Sequence, residues 1–181
     1  MNQRLSAVDI TYCALFAALT AVLSYIRIPL PFSPVPVTLQ TLAVMLAGSL
    51  LPPKTAFLCM VVYISMGIAG LPVFSAGAAG LGALIGPTGG YIMSWPIAAY
   101  IIAFMLRKRN PTFLMLILSN ILGGIIVVYT AGTFYLALIT DMDITAAVTA
   151  GALPFIPGDL LKVLAASLLS SSLRKSIIWK T

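Results

Sequence analysis

The segment Pro154-Phe155-Ile156-Pro157-Gly158-Asp159-Leu160-Leu161-Lys162 places an acid and a base three residues apart, next to a run (163–169) as apolar as a bilayer. Side chains three residues apart on a helix lie on the same face, so the carboxylate of Asp159 and the ammonium of Lys162 project into one space. A charge at membrane depth costs at least about 2.5 kcal/mol, and it normally faces a cavity or a partner. We therefore expect these two side chains to hold the polar end of a small ligand.

An ordinary ion pair within the helix is the alternative explanation for Asp159 and Lys162. Such a pair contributes about 0.2–0.5 kcal/mol on an exposed helix, which does not offset the cost of burying both charges in a membrane. It is an adequate explanation only if both groups lie at the level of the lipid headgroups. The apolar surroundings favour a binding site.

The composition of the chain is that of a membrane protein. Of its 181 residues, 61% are hydrophobic and only 8% are charged, and the mean hydropathy is +1.10. Soluble domains carry about 25% charged residues. We expect residues 1–181 to form a single integral membrane domain in contact with the lipid bilayer, with no room for a second domain.

Six apolar stretches are predicted to form transmembrane helices, since a span needs about 20 such residues. They are residues 10–26, 37–51, 55–68, 86–106, 113–138 and 157–173. The apolar segment 144–153 is too short to span, and we expect an interfacial or cavity-capping helix there. A cleaved signal peptide is the alternative for the first stretch, but no convincing cleavage site is visible. The predicted fold class is an all-α membrane protein with six transmembrane helices and irregular, re-entrant outer loops.

Two connections are predicted to be irregular. The segment 27–36 contains four prolines, which remove backbone donors and fix the backbone, so we expect a stiff, non-helical connection. The segment 70–82 is rich in glycine and alanine and leaves little side-chain bulk. Irregular backbone at membrane depth is tolerated where it lines a cavity. We therefore expect the loop 70–82 to pack close over a ligand.

The distribution of basic residues predicts the orientation in the membrane. With both termini in the cytoplasm, the inner side receives Arg4, Lys54, Arg107, Lys108, Arg109, Arg174, Lys175 and Lys180. The outer side then receives only Arg27 as a basic residue, together with Asp141 and Asp143, in agreement with the positive-inside rule. The two irregular connections and the start of the last helix fall on the outer side. The sequence thus predicts a pocket that is loaded from outside.

Several classes of function are disfavoured. The chain has no histidine and no glutamate, so the commonest metal ligand and the commonest acid–base groups are missing, and we expect no catalytic site, cofactor or metal. Cys13 and Cys59 lie in separate apolar runs and have no metal-ligand spacing. No Gly-Lys-Ser or Gly-Lys-Thr occurs, so the chain is not expected to hydrolyse ATP. The net charge of +6 is not arranged as a nucleic-acid-binding patch. A membrane enzyme or assembly factor is the alternative of a different class.

Other polar and aromatic residues are weaker candidates for the site. The polar ones are Gln40, Tyr91 and Asn120. A single amide or phenol often joins two helices, which is the alternative for each of these three. Phe74 and Trp95 are candidates to wall the apolar part of a ligand.

The first predicted helix carries a repeat of small residues. Ala14, Ala17, Ala18 and Ala21 form two overlapping pairs at a spacing of four residues. Such pairs let another helix approach closely in lipid, either within the bundle or in a partner protein.

Four blocks of sequence together resemble the biotin transporter BioY family, in the family's order and over essentially the whole chain. The blocks are Pro34-Val35-Pro36-Val37-Thr38-Leu39-Gln40, Gly70-Leu71-Pro72-Val73-Phe74, Gly86-Pro87-Thr88-Gly89-Gly90-Tyr91 and Pro157-Gly158-Asp159-Leu160-Leu161-Lys162. The resemblance implies biotin uptake by a substrate-binding S component of an energy-coupling factor transporter in the bacterial plasma membrane. It implies a six-helix fold and two kinds of partner, a transmembrane coupling subunit and a pair of ATPases. This energising module is either dedicated or shared, and solitary function without it is a further alternative.

The resemblance also implies roles for individual residues. Asp159 would accept from the ureido nitrogens of biotin, Lys162 would donate to the ureido oxygen, and Phe74 with its neighbours would wall the thioether ring and tail. Ala14 and Ala18 would dock on the coupling subunit. Where some relatives carry a polar and a basic residue this chain has Ala78 and Ile92, so the loop backbone, Thr88 and Arg27 are the candidates to bind the biotin carboxylate. An S component for another vitamin is the alternative within the same class.

Overall fold

The computed structural model describes residues 6–107 and 111–176, and these residues form a helical bundle. In chain order the elements are α1 (Ala7–Leu23), β1 (Arg27–Ile28), β2 (Val37–Thr38), α2 (Gln40–Leu50), α3 (Pro53–Ile68), a 3-10 turn (Ser75–Gly77), α4 (Leu81–Ile85), α5 (Gly89–Met105), α6 (Phe113–Ile121), a π-helical segment (Leu122–Val127), α7 (Val128–Thr140), α8 (Ile144–Gly151), a 3-10 turn (Leu153–Phe155) and α9 (Ile156–Ser176).

The helices account for the six predicted spans. Two helical segments, Phe113–Thr140 and Ile144–Arg174, are long and apolar enough to cross a membrane. The apolar helices α1, α2, α3 and α5 are shorter, at 11 to 17 residues. The prediction of a six-span helical fold is confirmed.

Local sequence explains where several helices begin. Ser6 caps α1 and forms a capping box with Asp9, so that each side chain bonds the other residue's backbone N–H. Thr112 caps α6, since its side-chain oxygen accepts from the backbone N–H of Met115. Pro53 opens α3 at a position where the missing N–H is no loss.

Helix α5 is the centre of the bundle and packs against α2, α3, α6, α7 and the π-helical segment. Small residues permit this close approach. A side chain at Gly90 would lie 2.9 Å from the carbonyl oxygen of Ala131, and one at Gly132 would overlap the ring of Tyr91. These two glycines therefore set the spacing between α5 and α7.

Helices α2, α5 and α9 begin at the same end of the bundle, which we call the cavity end. The predicted connection 27–36 includes β1, which pairs with β2 in an antiparallel hairpin, with Arg27 opposite Thr38 and Ile28 opposite Val37. The loop 70–82 was predicted to be irregular, and this is only partly correct. It contains a 3-10 turn and the first residues of α4. Its left-handed positions include Gly70, Gly77 and Gly80, where the absence of a Cβ removes the backbone strain.

Candidate ligand-binding site

A cavity lies between the first turns of α2, α5 and α9. Its wall is completed by β2, α7, the C-terminal end of α8 and the loop that contains Ser75. The empty space is about 540 Å³, including the part open to solvent.

Asp159 and Lys162 lie in the cavity wall and are almost completely buried, with 3% and 8% of their surface exposed. The ammonium of Lys162 donates to Asp159 Oδ1 at 2.5 Å, to Thr41 Oγ1 at 3.0 Å and to the backbone oxygen of Thr38. These three bonds use all the donors of a lysine. The pair therefore bridges α9 to the start of α2 and carries no net charge.

Tyr129 and Thr41 complete the surroundings of the carboxylate, and the sequence analysis did not select either of them. The hydroxyl of Tyr129 donates to Asp159 Oδ2 at 2.5 Å, and the hydroxyl of Thr41 lies 3.4 Å from Oδ1. Tyr129 follows the π-helical segment directly. A π-helical turn changes the face on which the following residues lie, so helical periodicity alone does not place Tyr129. Thr41 follows the candidate Gln40 in the sequence, but a single threonine gives no signal of its own for a binding site.

One face of α5 forms a large part of the wall. Thr88, Tyr91, Ile92 and Trp95 all line the cavity, and their spacing of three, four and seven residues corresponds to one side of a helix. The hydroxyl of Tyr91 donates to the backbone oxygen of Gly151 at 2.8 Å, which connects α5 to the end of α8. Because its hydroxyl is bonded to Gly151 and its ring packs on Gly132, Tyr91 is a rigid part of the wall.

Gln40 lines the cavity at the start of α2 and also connects three elements. Its Nε2 donates to the hydroxyl of Tyr63 on α3, and that hydroxyl donates to the backbone oxygen of Val73 at 2.8 Å. This chain of hydrogen bonds fixes the beginning of the loop 70–82 against α2 and α3.

The structure does not bring Phe74 into the cavity wall. Phe74 is 1% exposed, and its ring packs edge-on against Tyr63 with the centroids 5.7 Å apart. A side chain at Gly67 would overlap the Phe74 ring, so the glycine provides the space that it occupies. Phe74 therefore supports the wall from behind.

Asn120 is also placed away from the cavity wall. It accepts from Ser49 and donates to Ser167, and all three are buried. Ser167 follows Asp159 by eight residues on α9, a rise of about 12 Å. Asn120 thus joins α2, α6 and α9 below the cavity.

The candidates for binding a carboxylate are divided. Thr88 lies in the cavity wall, whereas Arg27 is exposed and does not line it. Of the two positions where some relatives carry a polar and a basic residue, Ile92 lies in the wall and Ala78 is exposed. The candidate docking residues Ala14 and Ala18 are exposed on α1, while Ala17 is buried within the bundle.

Comparison with known proteins gives one consistent family. The family model described as the BioY family matches residues 1–178. The chain is 37% identical to the probable biotin transporter BioY of Bacillus subtilis strain 168, over 96% of this chain and 94% of that protein. It is 36% identical to the biotin transporter BioY of Rhodobacter capsulatus, over 91% and 92% of the two chains.

A solved structure has the same fold over nearly the whole chain. It is the S-component for biotin from an ECF-type ABC transporter, with a TM-score of 0.89 and 29% sequence identity. The alignment covers 97% of this chain and 95% of that one. On the family match and the relatives together, the chain belongs to the BioY family.

Proposed function

We propose that this chain is a single membrane domain that binds biotin in the cavity and acts in biotin uptake as an S component. The observation that carries the proposal is the buried Asp159–Lys162 pair in the wall of the cavity. It places a hydrogen-bond acceptor beside a donor, and the ureido group of biotin has the complementary order of N–H and C=O. The relatives named as biotin transporters supply the identity of the ligand.

The cavity is divided between polar and apolar surfaces that suit the two halves of biotin. Asp159 accepts from a ureido N–H, and Lys162 donates to the ureido oxygen in exchange for one of its bonds to Thr38 or Thr41. An analogue without the urea would not form these bonds, and hydrogen bonds to charged groups contribute about 1.5–3 kcal/mol each. The side chains of Ile92, Val128 and Phe155 provide apolar contact for the thioether ring and the tail.

Binding to purified protein tests the ligand. Biotin, in excess over protein in detergent, is expected to bind saturably with one site per chain and not to be displaced by other vitamins. Absence of saturable binding, or displacement by a different vitamin at equal concentration, would refute the assignment. Biotin recovered in a chemically altered form would instead favour a membrane enzyme.

The proposed orientation places the cavity end outside a bacterial plasma membrane and both termini in the cytoplasm. Lys54 is in the first turn of α3, Arg107 follows α5, and Arg174 is in the last turn of α9. All three are at the end opposite the cavity, where the positive-inside rule requires them. Arg4, Lys108, Arg109 and Lys180 lie outside the described residues, as does the side chain of Lys175.

An energy-coupling module is the proposed partner, since the related structure is an S-component from an ECF-type ABC transporter. We assign ATP hydrolysis to two ATPase subunits and docking to a transmembrane coupling subunit. Ala14 and Ala18 are one helical turn apart on the exposed face of α1, so a partner helix can approach closely there.

Replacement of both alanines tests this docking face. The double variant Ala14→Leu, Ala18→Leu is expected to bind biotin normally but to lose most energised uptake in cells that contain the coupling module. Ala146→Leu, on the exposed face of α8, is the matched control and should retain uptake. Normal uptake by the double variant would exclude this face as the docking site.

A further inference from the structure

Two buried polar groups in the cavity wall have no hydrogen-bond partner among the described residues. They are the indole Nε1 of Trp95 and the hydroxyl of Ser75. Trp95 is only 3% exposed, and its ring packs beside that of Tyr63 at 5.7 Å between centroids. Buried polar groups are nearly always paired, with protein, water or ligand, so these two groups are available to a ligand in the cavity.

The chemistry of these groups defines the partner as an acceptor. An indole N–H can only donate, and a serine hydroxyl can donate as well. On the proposed function, Asp159 and Lys162 already pair with the N–H and C=O of the ureido group. The carboxylate is the remaining strong acceptor of biotin, so it is the group that Trp95 and Ser75 can bind.

Two helix N-termini at the cavity can stabilise an anion, although the described residues of its wall include no cation besides Lys162. Helices α2 and α5 both begin at the cavity, and neither has an acidic residue in its first turn or a side-chain hydrogen bond from its N-cap. The N-terminus of a helix carries a partial positive charge that stabilises anions. Thr88, the N-cap of α5, lines the same cavity.

We propose that Trp95 and Ser75, together with the α5 N-terminus at Thr88, form the subsite for the carboxylate of biotin. The inference rests on the proposed function and extends it. Neutral donors and helix dipoles bind the carboxylate in this chain, and Arg27 does not take part. A biotin ester is consequently expected to bind at least about tenfold more weakly than the acid, because hydrogen bonds to a charged acceptor are the stronger kind.

Comparison of the acid with its methyl ester separates hydrogen bonding from packing. Trp95→Phe removes the indole N–H and also reduces the size of the ring. The loss of size affects both ligands alike, whereas the loss of the N–H affects mainly the acid. We expect the affinity for biotin to fall about tenfold and the affinity for the ester to fall less, so that the preference for the acid shrinks. Equal losses for both ligands would overturn the assignment of Trp95.

Ser75→Ala tests the second donor, and the chain offers a matched control. Ser170 is also buried with an unpaired hydroxyl, but it lies on α9 away from the cavity wall. Ser75→Ala is expected to weaken biotin binding about threefold to tenfold and to spare ester binding, while Ser170→Ala leaves both unchanged. If Ser75→Ala behaves like Ser170→Ala, Ser75 is not part of the subsite.

A direct readout is the nitrogen-15 indole resonance of Trp95, assigned by its absence in the Trp95→Phe variant. Its proton is expected to shift downfield with biotin and to shift less with the ester. Identical spectra with the two ligands would contradict the subsite. These outcomes all require that the wild-type chain binds biotin, so failure of the wild type would refute the proposed function itself and is distinguishable from failure of the subsite.

Discussion

The bundle contains two buried polar clusters that look alike in sequence and differ in structure. The cavity cluster consists of Asp159, Lys162, Thr41 and Tyr129, and the packing cluster consists of Ser49, Asn120 and Ser167. Both connect α2 to α9. The packing cluster is completely buried, whereas the cavity cluster combines the buried Asp159 and Lys162 with the half-buried Thr41 and Tyr129. Only the cavity cluster contains charges, and only its members lie in the cavity wall.

The difference lies in what surrounds each cluster. Asn120 is enclosed by two serines from neighbouring helices, so its amide is satisfied by packing alone. Trp95 and Ser75 leave donors unpaired around the cavity cluster. A buried polar residue in a membrane bundle therefore indicates a ligand site when it lies beside a cavity with unpaired hydrogen-bonding groups. It indicates a contact between helices when neighbouring side chains fill the space and pair its polar atoms.

Removal of the ammonium in the cavity cluster should have the largest effect on binding. Lys162→Met leaves the buried carboxylate of Asp159 without its charge partner, and breaking a buried pair typically costs about 3–5 kcal/mol. The affinity for biotin is expected to fall at least about 100-fold, measured by equilibrium binding in detergent. Lys54→Met, at the exposed start of α3, is the matched control and should bind as the wild type does. A small effect of Lys162→Met would remove the distinction between the two clusters.

The phenol of the cavity cluster should have an intermediate effect. Tyr129→Phe removes one hydrogen bond to the Asp159 carboxylate, and bonds to charged groups contribute about 1.5–3 kcal/mol. Biotin affinity is expected to fall about tenfold. Tyr135→Phe removes a phenol on the same helix that bonds the backbone of Leu84 and does not line the cavity. Equal affinities for the two variants would show that Tyr129 does not position the carboxylate.

The packing cluster should affect stability and leave binding intact. Asn120→Leu removes two hydrogen bonds between helices, each worth about 0.6–1.7 kcal/mol in a membrane protein. The melting temperature is expected to fall by about 2–14 °C, with biotin affinity unchanged within about twofold. Thermal unfolding and biotin titration of the same sample check this. A loss of affinity without a loss of stability would place Asn120 in the binding site.

Most of the fold was predictable because a membrane helix leaves a strong compositional signal. The stretch 113–138 corresponds to the helical segment Phe113–Thr140, and 55–68 corresponds to Pro53–Ile68. The hairpin of β1 and β2 was not predicted, because two residues per strand give no periodic pattern. The π-helical segment Leu122–Val127 was missed for a related reason, since its composition is that of any apolar helix.

The cavity wall was predicted most clearly where charge identified it, although the uncharged candidates Gln40, Thr88 and Tyr91 also line it. Asp159 and Lys162 stand out in an apolar chain, and the structure places both in the cavity wall. Phe74 and Asn120 have residue types suited to a ligand, but their positions depend on Gly67 and on serines from other helices. The direction in which the Tyr129 side chain points depends on the π-helical segment that precedes it. Such placements follow from packing between distant parts of the chain, which composition and spacing do not reveal.

The central claim is that the carboxylate in the cavity cluster recognises the ureido group of biotin. Its most direct test is a titration of purified wild-type protein and of Asp159→Asn with radiolabelled biotin, with stability measured on the same samples. The asparagine has nearly the same shape but offers an amide N–H₂ in place of one acceptor oxygen. The account predicts saturable binding by the wild type and at least about 100-fold weaker binding by the folded variant. Unchanged affinity of the variant for biotin would contradict it.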